Sequence, residues 1–240
     1  MQNLANPILA RLNVSTPTYR LYNPIDLDDI VKKSHILPTC QHEQALLNQP
    51  FLLQVGRLDT NKNHQTLIDI FAKLKAKKLP HKLYIIGAGE QHKELSEQIK
   101  RLNLTQDCLL LGERTNPYPF MRQATLFLHT SLSEGLPTVL IESMACGTPV
   151  VAMHALTGVA DILAYGKYGV GVKLGDDTAF ANAVWTLINE PSIYQHYANN
   201  LDKAVERFAL KTVAKETFTL FSHLLNTQKV TQSTKSIDNS

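Results

Sequence analysis

The sequence predicts an α/β domain built on a doubly wound, Rossmann-like parallel sheet, and three observations carry the prediction. From residue 51 onward, short apolar runs alternate with stretches of helical periodicity. The apolar runs are continuous rather than polar at every second position, as strands buried on both faces require. Each run then ends in glycines and charges: Gly56-Arg57, Gly87-Ala88-Gly89, Gly112-Glu113-Arg114 and Glu134-Gly135. Parallel sheets of this kind bind ligands beyond the carboxyl ends of their strands. Turns alone account for the glycines; a ligand spanning several loops accounts for the charges as well.

Taken in order, residues 1–18 show no periodicity, and Tyr19–Tyr22 reads as a short strand stopped by Asn23-Pro24. Residues 25–49 read as a polar crossover punctuated by His35, Pro38 and Pro50. Phe51–Val55 is the first apolar strand, and His64–Leu79 a helix with Leu67, Ile68, Phe71 and Leu74 on one face and lysines on the other. Lys82–Ile86 is the second strand, Glu90–Leu102 a helix, and Cys108–Leu111 the third strand. Pro117–Gln123 is a short helix opened by proline. Leu126–His129 is the fourth strand, Thr138–Cys146 a helix stopped by Gly147-Thr148-Pro149, and Pro149–Met153 the fifth strand. Gly158–Ala164 is a short helix and Gly169–Val172 the sixth strand. Residues 176–189, 192–208 and 211–226 read as helices, and the polar tail from Thr227 as disordered.

The totals narrow the function classes. With 240 residues and 44% hydrophobic content the chain can build one large domain with appendages. A net charge of +3 permits an anionic ligand or a membrane surface and demands neither. No apolar run reaches the roughly 18 residues of a spanning helix, and the first residues lack the pattern of a signal peptide. Cys40, Cys108 and Cys146 are few and far apart, which fits a reducing compartment and excludes a disulfide framework. The nine histidines form no close ligand pair, so no metal centre is expected. Nothing resembles a nucleic-acid module.

The chemistry concentrates in Ser133–Glu142, SEGLPTVLIE. Glu134 falls on the loop after a strand and Glu142 inside the following helix, with Thr138 as the expected N-cap. The helix N-terminus between them offers N–H groups and a positive dipole end to a phosphate. The whole phrase, EGLPTVLIESMACGTPVV, resembles the signature of glycosyltransferase family 4, two glutamates separated by seven residues. VGRLDTNKNHQTLIDIFAKL resembles that family's diphosphate-binding segment, and LYNPIDLDDI its passage from the N-terminal into the C-terminal domain. Gly87-Ala88-Gly89-Glu90, Gly112-Glu113-Arg114 and Asn116-Pro117-Tyr118-Pro119-Phe120 resemble further family segments.

The resemblance implies the donor-binding, C-terminal half of a GT-B fold and the following roles. Arg57 and Lys62 neutralise the leaving diphosphate, a guanidinium gripping phosphate oxygens in pairs and an ammonium adding a point charge. Glu134 meets donor-sugar hydroxyls near the reacting carbon, and Glu142 the ribose hydroxyls. The backbone of Gly135, Leu136, Pro137 and Thr138 meets sugar and phosphates. Gly87 and Gly89 contact the nucleotide or only form a tight turn, and the backbone at Gly112-Glu113-Arg114 meets the base, with a structural role for the Arg114 side chain as the alternative. The implied reaction moves a hexose from a nucleotide-diphosphate sugar, a UDP-sugar by resemblance to polysaccharide-building members, to a glycan or lipid-linked acceptor. It proceeds with retention and without a bound metal or other cofactor.

The implied organisation is a remnant of an N-terminal domain in 1–24, the nucleotide-sugar-binding domain in 25–226 and a disordered tail in 227–240. Two readings stay open: a transferase whose acceptor domain is a separate N-terminal part, and a truncated, non-catalytic binding module. A third, a different GT-B enzyme such as a sugar-nucleotide epimerase or a phosphorylase, is disfavoured by the EGLPTVLIE phrase. The implied location is cytoplasmic. The lysine face of Lys73, Lys75, Lys77, Lys78 and Lys82 raises peripheral contact with the inner membrane face as one option and a solvated face as the other.

Overall fold

The computed structural model describes the backbone of residues 19–154 and 158–237, with side chains up to residue 226. The expectations for residues 1–18 and for the end of the tail lie outside the described residues. The chain divides into two compact units, Asp26–Glu206 and a second that brings residues 19–25 together with Arg207 onward.

Six parallel strands form the sheet of the larger unit: β1 (Phe51–Val55), β2 (Lys82–Ile86), β3 (Cys108–Gly112), β4 (Leu126–His129), β5 (Val150–His154) and β6 (Val170–Lys173). Their order is β3-β2-β1-β4-β5-β6, with every neighbouring pair parallel. This is the doubly wound arrangement expected. The order reverses between β1 and β4, which opens a crevice at their carboxyl ends.

The continuous apolar runs are explained by burial on both faces. Leu52, Leu83, Ile85, Leu126, Leu128 and Val151 join one core with Leu67, Ile68, Phe71 and Leu74 of α3 (His64–Ala76), Leu95 and Ile99 of α4 (His92–Arg101), and Phe180 and Val184 of α8 (Asp177–Asn189). On the other face Phe51 stacks on Tyr84 at 4.6 Å between ring centroids and meets Phe120 of α5 (Tyr118–Gln123) at 6.4 Å. The buried Tyr84 hydroxyl donates to Leu46 O at 3.2 Å and accepts from Gln49 Nε2 at 2.6 Å. Each such aliphatic or aromatic side chain contributes on the order of 1.5–3 kcal/mol by leaving water.

The expected polar crossover of residues 25–49 is corrected: it holds two helices, α1 (Leu27–Ser34) and α2 (Gln41–Leu47). Asp26 caps α1 by accepting from Asp29 N at 3.0 Å, with acids in its first turn and lysines in its last. Tyr19–Tyr22 is not a strand; just after it, Ile25 forms an isolated parallel bridge with Ala209. The helix expected over 192–208 breaks at Asn199-Asn200 into α9 (Pro191–Ala198) and α10 (Leu201–Val205), followed by a 3-10 turn. The last helix, α11 (Leu210–Ile237), runs past its expected end at 226.

Candidate functional site

The loops after β1 and β4 meet across the crevice where the strand order reverses. Lys62 Nζ lies 2.5 Å from Glu134 Oε1, joining residues 72 positions apart, with the two side chains only 19% and 14% exposed. Each loop is built to hold its half of this pair. After β1, Asp59 Oδ1 accepts from Lys62 N at 3.0 Å and caps the 3-10 turn Thr60–Lys62. Asp59 Oδ2 also lies 3.0 Å from Arg57 Nη2, while the Arg57 side chain remains 80% exposed. His64 is fully buried, and its Nε2–H donates to Arg57 O at 2.8 Å. Burial outweighs that bond and holds the His64 imidazole below its ordinary range.

The two loops are stitched by groups with no sequence signature. Asn61 Nδ2 donates to Ser133 O at 2.9 Å, and Asn61 Oδ1 accepts from Ser133 N at 3.1 Å. The Thr130 hydroxyl reaches Lys62 O at 3.2 Å and Asn63 O at 3.1 Å, and Gln54 Nε2 donates to Lys62 O at 3.3 Å. Asn61 and Thr130 escape sequence reasoning because their partners are distant in the chain, and Gln54 and His64 because isolated polar residues in a strand or loop carry no periodicity.

The glycines divide by role. A Cβ on Gly87 would lie 1.9 Å from Gly56 O, and one on Gly89 2.4 Å from Leu58 O, so these two residues let the β2 loop pack against the backbone after β1. Gly158, at the start of α7 (Gly158–Ile162), would meet Gly135 O at 2.2 Å. Gly135 itself is exposed, and a Cβ there would meet nothing within 4 Å. Protein packing therefore does not require glycine at Gly135.

Thr138 is not the N-cap expected of it. It is the first residue of α6 (Thr138–Ala145), Pro137 occupies the cap, and the Thr138 hydroxyl bonds the Glu142 side chain instead. Burial pushes the Glu142 carboxyl above its usual range, and the Thr138 bond opposes the rise. Leu136 is half-buried and Pro137 buried in the same loop. Arg57, Gly87 and Arg114 line a cavity of about 360 Å³ together with Gly56, Ala88 and Glu113. Arg114 is pinned there, its Nη1 donating to Glu113 O at 3.0 Å and its Nε lying 2.7 Å from Glu43 Oε1 on α2.

The lysine face is largely engaged within the protein. Lys75 pairs with Asp107 at 3.0 Å and Lys73 with Asp177 at 3.9 Å, Lys77 reaches Asn182 Oδ1 at 3.3 Å, and Lys82 donates to Gln106 O at 2.6 Å. Among the described residues, no helix is long and apolar enough to cross a membrane.

Residues 41–206, spanning the sheet and the loops after β1 and β4, match the family model "Glycosyl transferases group 1". The chain belongs to this family. Among similar group 1 glycosyl transferases, N-acetylgalactosamine-N,N'-diacetylbacillosaminyl-diphospho-undecaprenol 4-alpha-N-acetylgalactosaminyltransferase of Campylobacter jejuni is 34% identical over 82% of this chain and 51% of its own length. A second C. jejuni alpha-1,4-N-acetyl-D-galactosaminyltransferase is 25% identical, over 82% of this chain and 55% of its own length. The chain thus spans about half the length of the curated relatives it matches. Anabaena HepE, solved in complex with UDP and glucose, superposes with a TM-score of 0.71 at 27% identity, covering 85% of this chain and 56% of that one. The sheet and its flanking helices are the Rossmann-like half seen in GT-B glycosyltransferases.

Proposed function

We propose that the crevice between β1 and β4 holds a nucleoside diphosphate sugar, a UDP-hexose, and that the chain supplies the donor side of a retaining hexosyl transfer to a glycan or lipid-linked acceptor. The observation that carries the reading is the Lys62–Glu134 pair at the switch point, with the exposed Arg57 guanidinium on the same loop as Lys62. An ammonium and a guanidinium placed there suit the two phosphates, and a carboxylate beside them suits sugar hydroxyls. Glu142, behind the N-terminus of α6, accepts from the ribose. The cavity between the β1, β2 and β3 ends, walled by Arg114, takes the base. UDP and glucose bound to HepE, and the C. jejuni relatives named for undecaprenol-linked substrates, support the donor and acceptor classes.

In the transfer, the bond from the anomeric carbon to the β-phosphate oxygen breaks. The acceptor hydroxyl bonds the same face of that carbon, and its proton leaves with the diphosphate. Arg57 and Lys62 stabilise the charge that develops on the leaving group, preorganised cations doing what water does less well. Glu134 orients the sugar. Water exclusion and acceptor placement need a second wall, which we assign to a separate N-terminal acceptor domain.

Arg57→Ala tests the reading. One charge-assisted hydrogen bond is worth about 1.5–3 kcal/mol, and solvent around the exposed Arg57 brings the expected loss to the low end. Calorimetric titration should show UDP binding weakened about tenfold and uridine binding unchanged. Equal weakening of both ligands would remove the diphosphate assignment.

A further inference from the structure

His129 ends β4 with 1% of its side chain exposed, yet neither ring nitrogen has a hydrogen-bond partner among the described residues. A buried imidazole with both nitrogens unsatisfied is costly and calls for an explanation. Its Nε2 lies 3.7 Å from Glu134 Oε1, the same oxygen that holds Lys62 Nζ at 2.5 Å. At 3.7 Å there is no hydrogen bond, and a shift of roughly 0.8 Å would make an ordinary one. Burial, opposed by Glu134 and aided by the neighbouring Lys62 and His64, holds the imidazole down to about 4. Near neutral pH His129 is therefore an uncharged ring carrying a single N–H.

We propose that His129 is a positioning residue that takes over Glu134 when the donor diphosphate draws Lys62 away. The inference rests on the assignment of Lys62 to the diphosphate. Only the stem of Lys62 can travel, because its N–H is held by Asp59 and its carbonyl by Gln54 and Thr130. When the ammonium swings to a phosphate, the largely buried Glu134 loses a cationic partner just as its side chain must stay aimed at the sugar. A neutral imidazole already within 4 Å supplies the replacement N–H without adding a second cation to the carboxylate. On release of the diphosphate, Lys62 returns and His129 falls back.

The test titrates UDP and uridine into the wild-type chain and into His129→Gln, His129→Asn and His129→Leu. A Gln amide nitrogen can stand near the position of Nε2, whereas an Asn amide is too short and Leu has no donor. UDP binding is expected to stay near wild type in His129→Gln and to fall about fivefold to tenfold in the other two, with uridine binding unchanged in all. In a Glu134→Gln background, His129→Asn should have no further effect on UDP. If His129→Leu fails to fold, the Gln and Asn pair carries the comparison. Gln and Asn variants that behave alike, or equal losses for UDP and uridine, overturn the handover. A wild-type chain that binds UDP no more tightly than uridine overturns the diphosphate assignment and the handover with it.

Discussion

Lys62→Ala is expected to lower thermal stability and UDP affinity together while sparing uridine. The stability loss comes from Glu134, whose side chain is 14% exposed and whose carboxylate would lose the ammonium now 2.5 Å away. Breaking one side of such a pair costs about 1–3 kcal/mol, fewer than for a fully buried pair because water reaches both groups. For a chain of this size that is a fall in melting temperature of roughly 2–10 °C. Glu134→Gln added to Lys62→Ala removes the charge that Lys62 balanced and should restore much of it. The affinity loss comes from the diphosphate and should be about tenfold or more. It is moderated because Lys62 must leave Glu134 to reach a phosphate. An unchanged melting temperature and an unchanged ratio of UDP to uridine affinity would contradict both parts.

Gly87→Ala is expected to do more damage than any other single-methyl change in the site. Gly87 has a φ of +151°, and its Cβ would stand 1.9 Å from Gly56 O. The backbone there cannot yield cheaply, because Gly56 N bonds Ile86 O at 3.0 Å and Gly87 N bonds Gly112 O at 2.9 Å. The ends of β1, β2 and β3 are thus laced together at this point. Relieving the clash pushes the β1 loop outward and carries Arg57 with it. Overpacking and a strained φ each cost about 1–3 kcal/mol, so a fall of roughly 5–15 °C in melting temperature follows. Gly135→Ala, where a Cβ meets nothing within 4 Å, should melt like wild type. Differential scanning calorimetry of the two variants decides; a Gly87→Ala chain as stable as wild type would show that the strand ends are not locked.

The sheet was legible because buried parallel strands write themselves as apolar runs, and all six fall where such runs occur. The loops that carry Arg57, Lys62 and Glu134 were legible because punctuation at strand ends coincided with charge. Helix α1 was missed although Asp26, Asp28 and Lys33 mark it and Leu27, Ile30 and Val31 stand at helical spacing, since eight residues show that period over only about two turns. The break at Asn199-Asn200 was missed because a polar pair on the surface interrupts no apolar stripe. Thr138 was read as the cap because its hydroxyl suits that role, whereas Pro137 takes the cap position and Thr138 is the first helical residue. In the site, Glu134 could be named from its phrase, but not its ion pair with Lys62. Asn61 meets Ser133 only because the reversal of strand order brings the β1 and β4 loops together, and the isolated His64 and His129 carry no periodic signal.

The central claim is that the diphosphate lies between Arg57 and Lys62, and the position of the β-phosphate in a crystal of this chain with UDP tests it most directly. The expected structure has β-phosphate oxygens about 3 Å from the Arg57 guanidinium and from Lys62 Nζ, with Lys62 withdrawn from Glu134. A β-phosphate out of reach of both cations, with the Lys62–Glu134 pair still closed, would contradict it.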